Sequence, residues 1–175
     1  ANIDNFIENN FKNKVASANP NIKRLLYANL FLYSGADAQT RFSDSQIVGQ
    51  DGRQTPYTPT SNLYGFVPTA NNSFGQAMNG FAQNVIEHYN VEGIYLDEST
   101  YSISPFTFDQ SQWDGHSFLV DPITDSIQKK IGSTILLSRD FRVQFVHKAL
   151  NRGWAVVSNH APITNEFSNL PIIRF

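Results

Sequence analysis

Apolar residues first recur at three- and four-residue spacing. Ile3, Phe6, Ile7, Phe11 and Val15 give one stripe, which predicts a helix over about 2 to 17. Asn19-Pro20 stops it. The stretch Arg24 to Tyr33 has period two instead: Leu26, Ala28, Leu30 and Leu32 form an aliphatic face, and Tyr27, Asn29, Phe31 and Tyr33 form the other. That pattern predicts a strand buried on both sides, as in parallel sheets. From Ser34 to Asn72 the periodicity dissolves into glycine, proline and polar residues, the chemistry of turns. A loop of that length inside a compact domain is uncommon and usually functional.

Helical spacing returns with Phe74, Ala77, Met78, Phe81, Val85 and Tyr89 behind a capping box at Ser73 to Gln76, predicting a helix to about residue 90. Val91-Glu92-Gly93 closes it, and Ile94 to Glu98 follows as a short strand. A second irregular stretch, Ser99 to Leu137, carries a hairpin whose arms 116 to 121 and 126 to 133 flank a turn at Pro122 to Asp125. A third helix is predicted from Ser138 to Asn151, with Phe141, Phe145, Val146, Ala149 and Leu150 facing inward. Trp154 to Asn159 reads as a third strand and Pro171 to Phe175 as the start of a fourth.

Strand, helix and strand in repeated succession imply parallel strands joined by helical crossovers. Both long loops follow the carboxyl ends of strands, while the returns from helix to strand are tight. That asymmetry predicts an α/β fold of the (β/α)8 TIM-barrel kind, whose working face is built by the loops after the strands. A complete barrel takes about 250 residues, so 1–175 is expected to be a single domain forming a partial barrel. The rest would lie in a longer chain or in associated copies. An open sheet holding a phosphorylated ligand would also use its strand carboxyl ends, but no G-x-G-x-x-G follows any strand.

Composition narrows the partners. The chain has 175 residues, 41% hydrophobic, which suffices for a core. A net charge of -2, with no basic stripe, argues against nucleic acid. The longest near-apolar run, Leu25 to Tyr33, is too short for a membrane span. The absence of cysteine excludes disulfides, thiolate metal sites and cysteine nucleophiles. His88, His116, His147 and His160 show no metal-binding spacing, so neither a metal nor a cofactor is expected. The chain begins at Ala1, which fits either a removed leader or a cut from something longer, and the sequon Asn71-Asn72-Ser73 suggests a secreted or extracellular protein.

Candidate chemistry gathers at the expected strand ends. Alternation puts Ile94, Leu96 and Glu98 on one face and Tyr95 and Asp97 on the other, so Asp97 should point into the barrel mouth, with Glu98 at the strand end. Glycoside hydrolysis needs two carboxyls facing each other across the scissile bond. Asp97 or Glu98 would be one of them, with Asp37, Asp114 and Glu166 as candidates for the second. Capping, or pairing with Arg41 or Arg139, is the alternative use of Asp97 and Glu98. Trp113-Asp114-Gly115-His116, near Tyr101, Phe106 and Phe108, combines stacking surfaces with polar groups, as a carbohydrate cleft does, and as a loop packed on its own aromatics also does. Tyr33 ends the first predicted strand and Asn159-His160 the third, so all three would line the mouth.

The segments Asp44 to Gln54, Gly93 to Glu98, Trp113 to His116 and Phe145 to Asn159 together resemble glycoside-hydrolase-like (β/α)8 barrel proteins, polysaccharide-associated members of which are largely uncharacterised. The resemblance runs from about Tyr27 onward. It implies that an acidic residue after a barrel strand acts as nucleophile or acid, a role that falls on Asp97 or Glu98. The later strands that carry the second carboxylate in many such families are absent. The expected activity is acid/base-assisted hydrolysis of glycosidic bonds in a polysaccharide or glycan. The alternative is a non-catalytic carbohydrate-binding or structural module of an extracellular assembly.

Overall fold

Residues 13–88 and 91–175 are described in a computed structural model of the chain. The predicted first helix lies mostly outside these residues; its described end is a wide turn at 13–15 leading into the short helix Ala16–Ala18.

Four parallel strands make the central sheet: β1 (Leu25–Asn29), β2 (Gly93–Asp97), β3 (Ala155–Ser158) and β4 (Ile173–Arg174), side by side in chain order. Two long helices serve as crossovers, α1 (Ser73–His88) from β1 to β2 and α2 (Arg139–Asn151) from β2 to β3. The four-residue helix Asn165–Ser168 precedes β4.

One face of the sheet carries the core. Ala28, Ile94, Leu96 and Val156 are buried against Ala82 of α1, Phe141, Phe145, Val146 and Ala149 of α2, and Phe167. The opposite face has no such cover among the described residues. Tyr27 is 60% exposed there, stacks on Tyr95 at 5.8 Å, and Tyr95 stacks on Phe175 at 5.9 Å. Strand parity in β2 is therefore as expected, with the aliphatic side under the helices and Tyr95 and Asp97 on the other.

Three expectations need correcting. The first strand stops at Asn29, not Tyr33. The Asn29 carboxamide oxygen accepts the Phe31 N–H at 2.9 Å, which turns the chain, and Leu32–Tyr33 pairs antiparallel with Tyr64–Gly65 instead. The start of α1 is capped by neighbours rather than by its own Ser73 to Gln76 box. Asn72 Oδ1 accepts from Gly75 N at 2.9 Å and Asp44 accepts from Ser73 N at 2.9 Å. The long first loop is not structureless. Phe42, Phe66 and Phe74 pack edge-on and stacked at 4.9 to 5.6 Å, a second small core flanked by Tyr33 and Tyr64.

The hairpin forms as predicted, Phe118–Val120 against Ile127–Lys130. Its turn is set by Asp121, whose Oδ1 accepts from Ile123 N and Thr124 N at 2.8 and 3.0 Å. The two long loops are tied to each other, as Phe108 N donates to Val48 O and Gln112 Nε2 to Gln46 O, both at 2.8 Å.

Candidate functional site

The strand register builds the site. Asn29 pairs with Asp97 across β1 and β2, and Leu96 with Ser158 across β2 and β3, so Asn159 arrives next to Asp97. The carboxyl ends of three neighbouring strands thus carry Asn, Asp and Asn at one level.

Each carboxylate is held by neutral donors. Asp97 accepts from the Tyr27 hydroxyl at 2.6 Å and from the Asn159 amide. Glu98 accepts from Asn29 Nδ2 at 2.9 Å, from the Ser102 hydroxyl, and from Tyr57 Oη at 3.2 Å. Asn159 spans both residues, since its Oδ1 also accepts the Glu98 backbone N–H. Pairing with Arg41 or Arg139 does not occur: Arg41 binds Tyr33 and Asp37, and Arg139 binds Asp140 and Glu166.

Glu98 leaves the strand with φ 46°. This left-handed conformation costs a non-glycine residue on the order of 1 to 3 kcal/mol. It also breaks the alternation, which would otherwise carry Glu98 away from Asp97. The two carboxylates now act on the same pair of hydroxyls. The Tyr27 pKa is raised, first by its hydrogen bond to Asp97 and further by Glu98, and that of Tyr57 is raised first by the charge on Glu98 and further by Asp97. Both tyrosines therefore keep their protons and donate. Of the four left-handed non-glycine residues among those described, three border this site: Glu98, Ile103 beside Ser102, and His160 beside Asn159.

Behind the carboxylates lies a buried polar floor. The Ser158 hydroxyl donates to Ser99 Oγ, the Ser99 hydroxyl to Asn159 O, and the Thr100 hydroxyl to Ala161 O at 2.7 Å. Arg142 of α2, 1% exposed, pins it from below with Nη1 on Ser99 O at 3.2 Å, Nε on Ser138 Oγ at 3.0 Å and Nη2 on Ile135 O at 3.0 Å. Burial pulls its pKa down to about 10.

Of the residues singled out in the sequence, Asp97, Glu98 and Asn159 come together. Tyr101 and His160 sit at the border, their rings 5.5 Å apart. Tyr33 does not join them; it packs on Phe42 and bonds Asp37 at 3.1 Å. Asp114 is consumed by its own loop. It accepts from His116 N and Ser117 N at 2.8 Å and from Ser133 N at 2.6 Å. Burial opposes its ionisation, but bonds from Ser117, Ser133 and His116 outweigh that and hold its pKa below the ordinary value. Trp113 rests on Phe118 and is covered by Lys130, whose Nζ lies 4.1 Å from the ring centroid, and His116 is exposed. Asp37 and Glu166 are engaged with Arg41 and Arg139.

Asn29, Tyr27, Tyr57 and Ser102 are the donors that sequence reasoning missed. Asn29 had a signal, as a lone amide in an aliphatic run; Tyr57, reaching in from the first loop, had none. Among the described residues no group of His, Asp and Glu could hold a metal ion, and no helix is long and apolar enough to cross a membrane. Compared with family models, curated proteins and solved structures, the chain matches none.

Proposed function

We propose that the protein is a glycoside-hydrolase-like enzyme and that its sheet is part of a (β/α)8 barrel. Parallel strands adjacent in chain order, with the helices packed on one face, are what consecutive barrel units would produce. The observation that carries the functional reading is the pair Asp97 and Glu98, brought into one cluster by a left-handed turn at a strand carboxyl end and bound only to neutral donors among the described residues. Unlike Asp114 and Asp121, which are spent on the backbone of their own loops, these two converge from a strand end and a left-handed turn, and no cation among the described residues pairs with either. Hydrolysis uses one carboxyl as acid and the other as nucleophile or base. Asp97, on the uncovered face beside Tyr27 and Tyr95, is the first of the two to meet a glycan lying across these rings.

A second reading, glycan binding without hydrolysis, is favoured by the stacked row Tyr27, Tyr95 and Phe175, which offers an apolar surface and needs no acid. The discriminating experiment is release of reducing ends from a panel of polysaccharides, with binding isotherms alongside. Asp97→Asn and Glu98→Gln are each expected to lower turnover by about 10² to 10⁴ while binding survives. A wild-type protein that binds a glycan but releases nothing, with Tyr95→Ala the variant that loses binding, moves the assignment to the second reading.

A further inference from the structure

The first long loop builds a second recess that shares no residue with the carboxylate cluster. Gln39, Gln46, Gln54, Asp51, Arg53 and Tyr64 surround a cavity of about 570 Å³, with Pro56 completing the wall. Its frame is a set of antiparallel bridges, Gln46 to Phe66, Val48 to Gln54 and Pro56 to Tyr64, closed by Gly49 N on Arg53 O at 2.8 Å.

The polar groups are only half used by the fold. The carboxamide nitrogens donate inward, Gln46 Nε2 to Gln39 O at 2.6 Å, Gln39 Nε2 to Tyr64 Oη at 3.0 Å and Gln54 Nε2 to Gly65 O at 3.3 Å. Gln54 Oε1 is buried with no hydrogen-bond partner. The Asp51 carboxylate accepts the Arg53 backbone N–H at 3.0 Å, while the Arg53 guanidinium forms no ion pair among the described residues.

We propose that this recess binds a neutral polyhydroxylated ligand, a sugar ring or short oligosaccharide. A hydroxyl both donates and accepts, and the wall offers the Asp51 carboxylate as acceptor and the Arg53 guanidinium as donor. The guanidinium and the carboxylate cancel, so the recess has no excess charge to favour a phosphate or a uronate. Tyr64 and Pro56 add flat apolar surface for the C–H face of a ring. The volume falls in the range of small-ligand pockets. An extended peptide would meet the same donors and acceptors, but the wall holds no aliphatic pocket for its side chains. The inference does not rest on catalysis at Asp97 and Glu98 and applies equally to a non-catalytic protein.

The test is a titration of the isotopically labelled chain followed through its backbone amide resonances, with cellobiose, maltose and inorganic phosphate as separate probes. At least one disaccharide should shift the amides of 46–54 saturably, phosphate should not, and Arg53→Ala should weaken that binding roughly tenfold. Because Asp51→Asn keeps the backbone contact of Asp51, it should weaken binding without disturbing the loop. No saturable shift at 46–54 with either disaccharide, tighter binding of phosphate, or unchanged affinity in Arg53→Ala would each overturn the assignment. Amide shifts at 46–54 report this recess and hydrolysis reports the carboxylates, so the two readings fail separately.

Discussion

The two ends of the parallel sheet are built on opposite terms. At the amino ends of β1 and β2, Arg24 grips Glu92 through its guanidinium and through its backbone N–H, the latter at 2.8 Å. The Glu92 carboxyl is held down to about 2, first by the Arg24 side chain. Glycine meets the steric demands there: Gly153 takes φ 80° on the way into β3, and Gly93 lies so close to β3 that a Cβ would sit 2.1 Å from Ala155 O. At the carboxyl ends, two carboxyl groups share a cluster with no cation bound to them among the described residues, and Glu98 and His160 occupy left-handed conformations without being glycine. One end is arranged for stability, whereas the other keeps unpaired acids and backbone strain that stability alone would remove. That contrast supports the proposal that the carboxyl end is the working end.

The contrast can be broken first at Gly93. Gly93→Ala forces a backbone clash between β2 and β3 and should cost about 3 kcal/mol in urea unfolding. A loss below about 1 kcal/mol would mean the strands are not packed this closely.

Arg24→Met comes next. With the Arg24 side chain 10% and Glu92 34% exposed, solvent screening limits the pair, and the expected loss is about 1.5 kcal/mol at pH 7. The Glu92 pKa is lowered on folding from its ordinary 4.5 to about 2, so its contribution is complete above the unfolded value and disappears as pH falls through the folded one. The difference between wild type and Arg24→Met should accordingly shrink between pH 5 and pH 2. A difference constant over that window would remove the pair from the account.

The smallest effect has the opposite sign. Glu98→Gly relieves the φ 46° backbone and removes one of two neighbouring carboxyl groups, and it should leave stability unchanged or raise it by up to about 1 kcal/mol. A clear loss would show that Glu98 is a structural residue.

Much of the frame could be read from the residues. Ile94 and Leu96 announce their face because both are aliphatic at period two, and the α2 stripe Phe141, Phe145, Val146 and Ala149 lies where its spacing puts it. Arg142 on the same helix was invisible, because its burial depends on carbonyls of Ser99 and Ile135 that only the fold supplies. The end of β1 was misplaced because one side-chain hydrogen bond, Asn29 to Phe31, overrides ten residues of alternation. Asp97 and Glu98 were legible as acids at a strand end. Their convergence was not, since nothing in Asp-Glu-Ser foretells a left-handed glutamate. Asp114-Gly115 carried its own warning, an aspartate-glycine turn whose carboxylate serves the loop backbone.

On the proposed function, Asp97 and Glu98 are kept for a substrate and not for the fold. The most direct measurement pairs the unfolding free energy of Asp97→Asn and Glu98→Gln with turnover on a polysaccharide that the wild type cleaves. The account predicts stability within about 0.5 kcal/mol of wild type, or above it, together with turnover lowered by at least about 10². Variants that lose 2 kcal/mol or more while keeping wild-type turnover per folded molecule would contradict it.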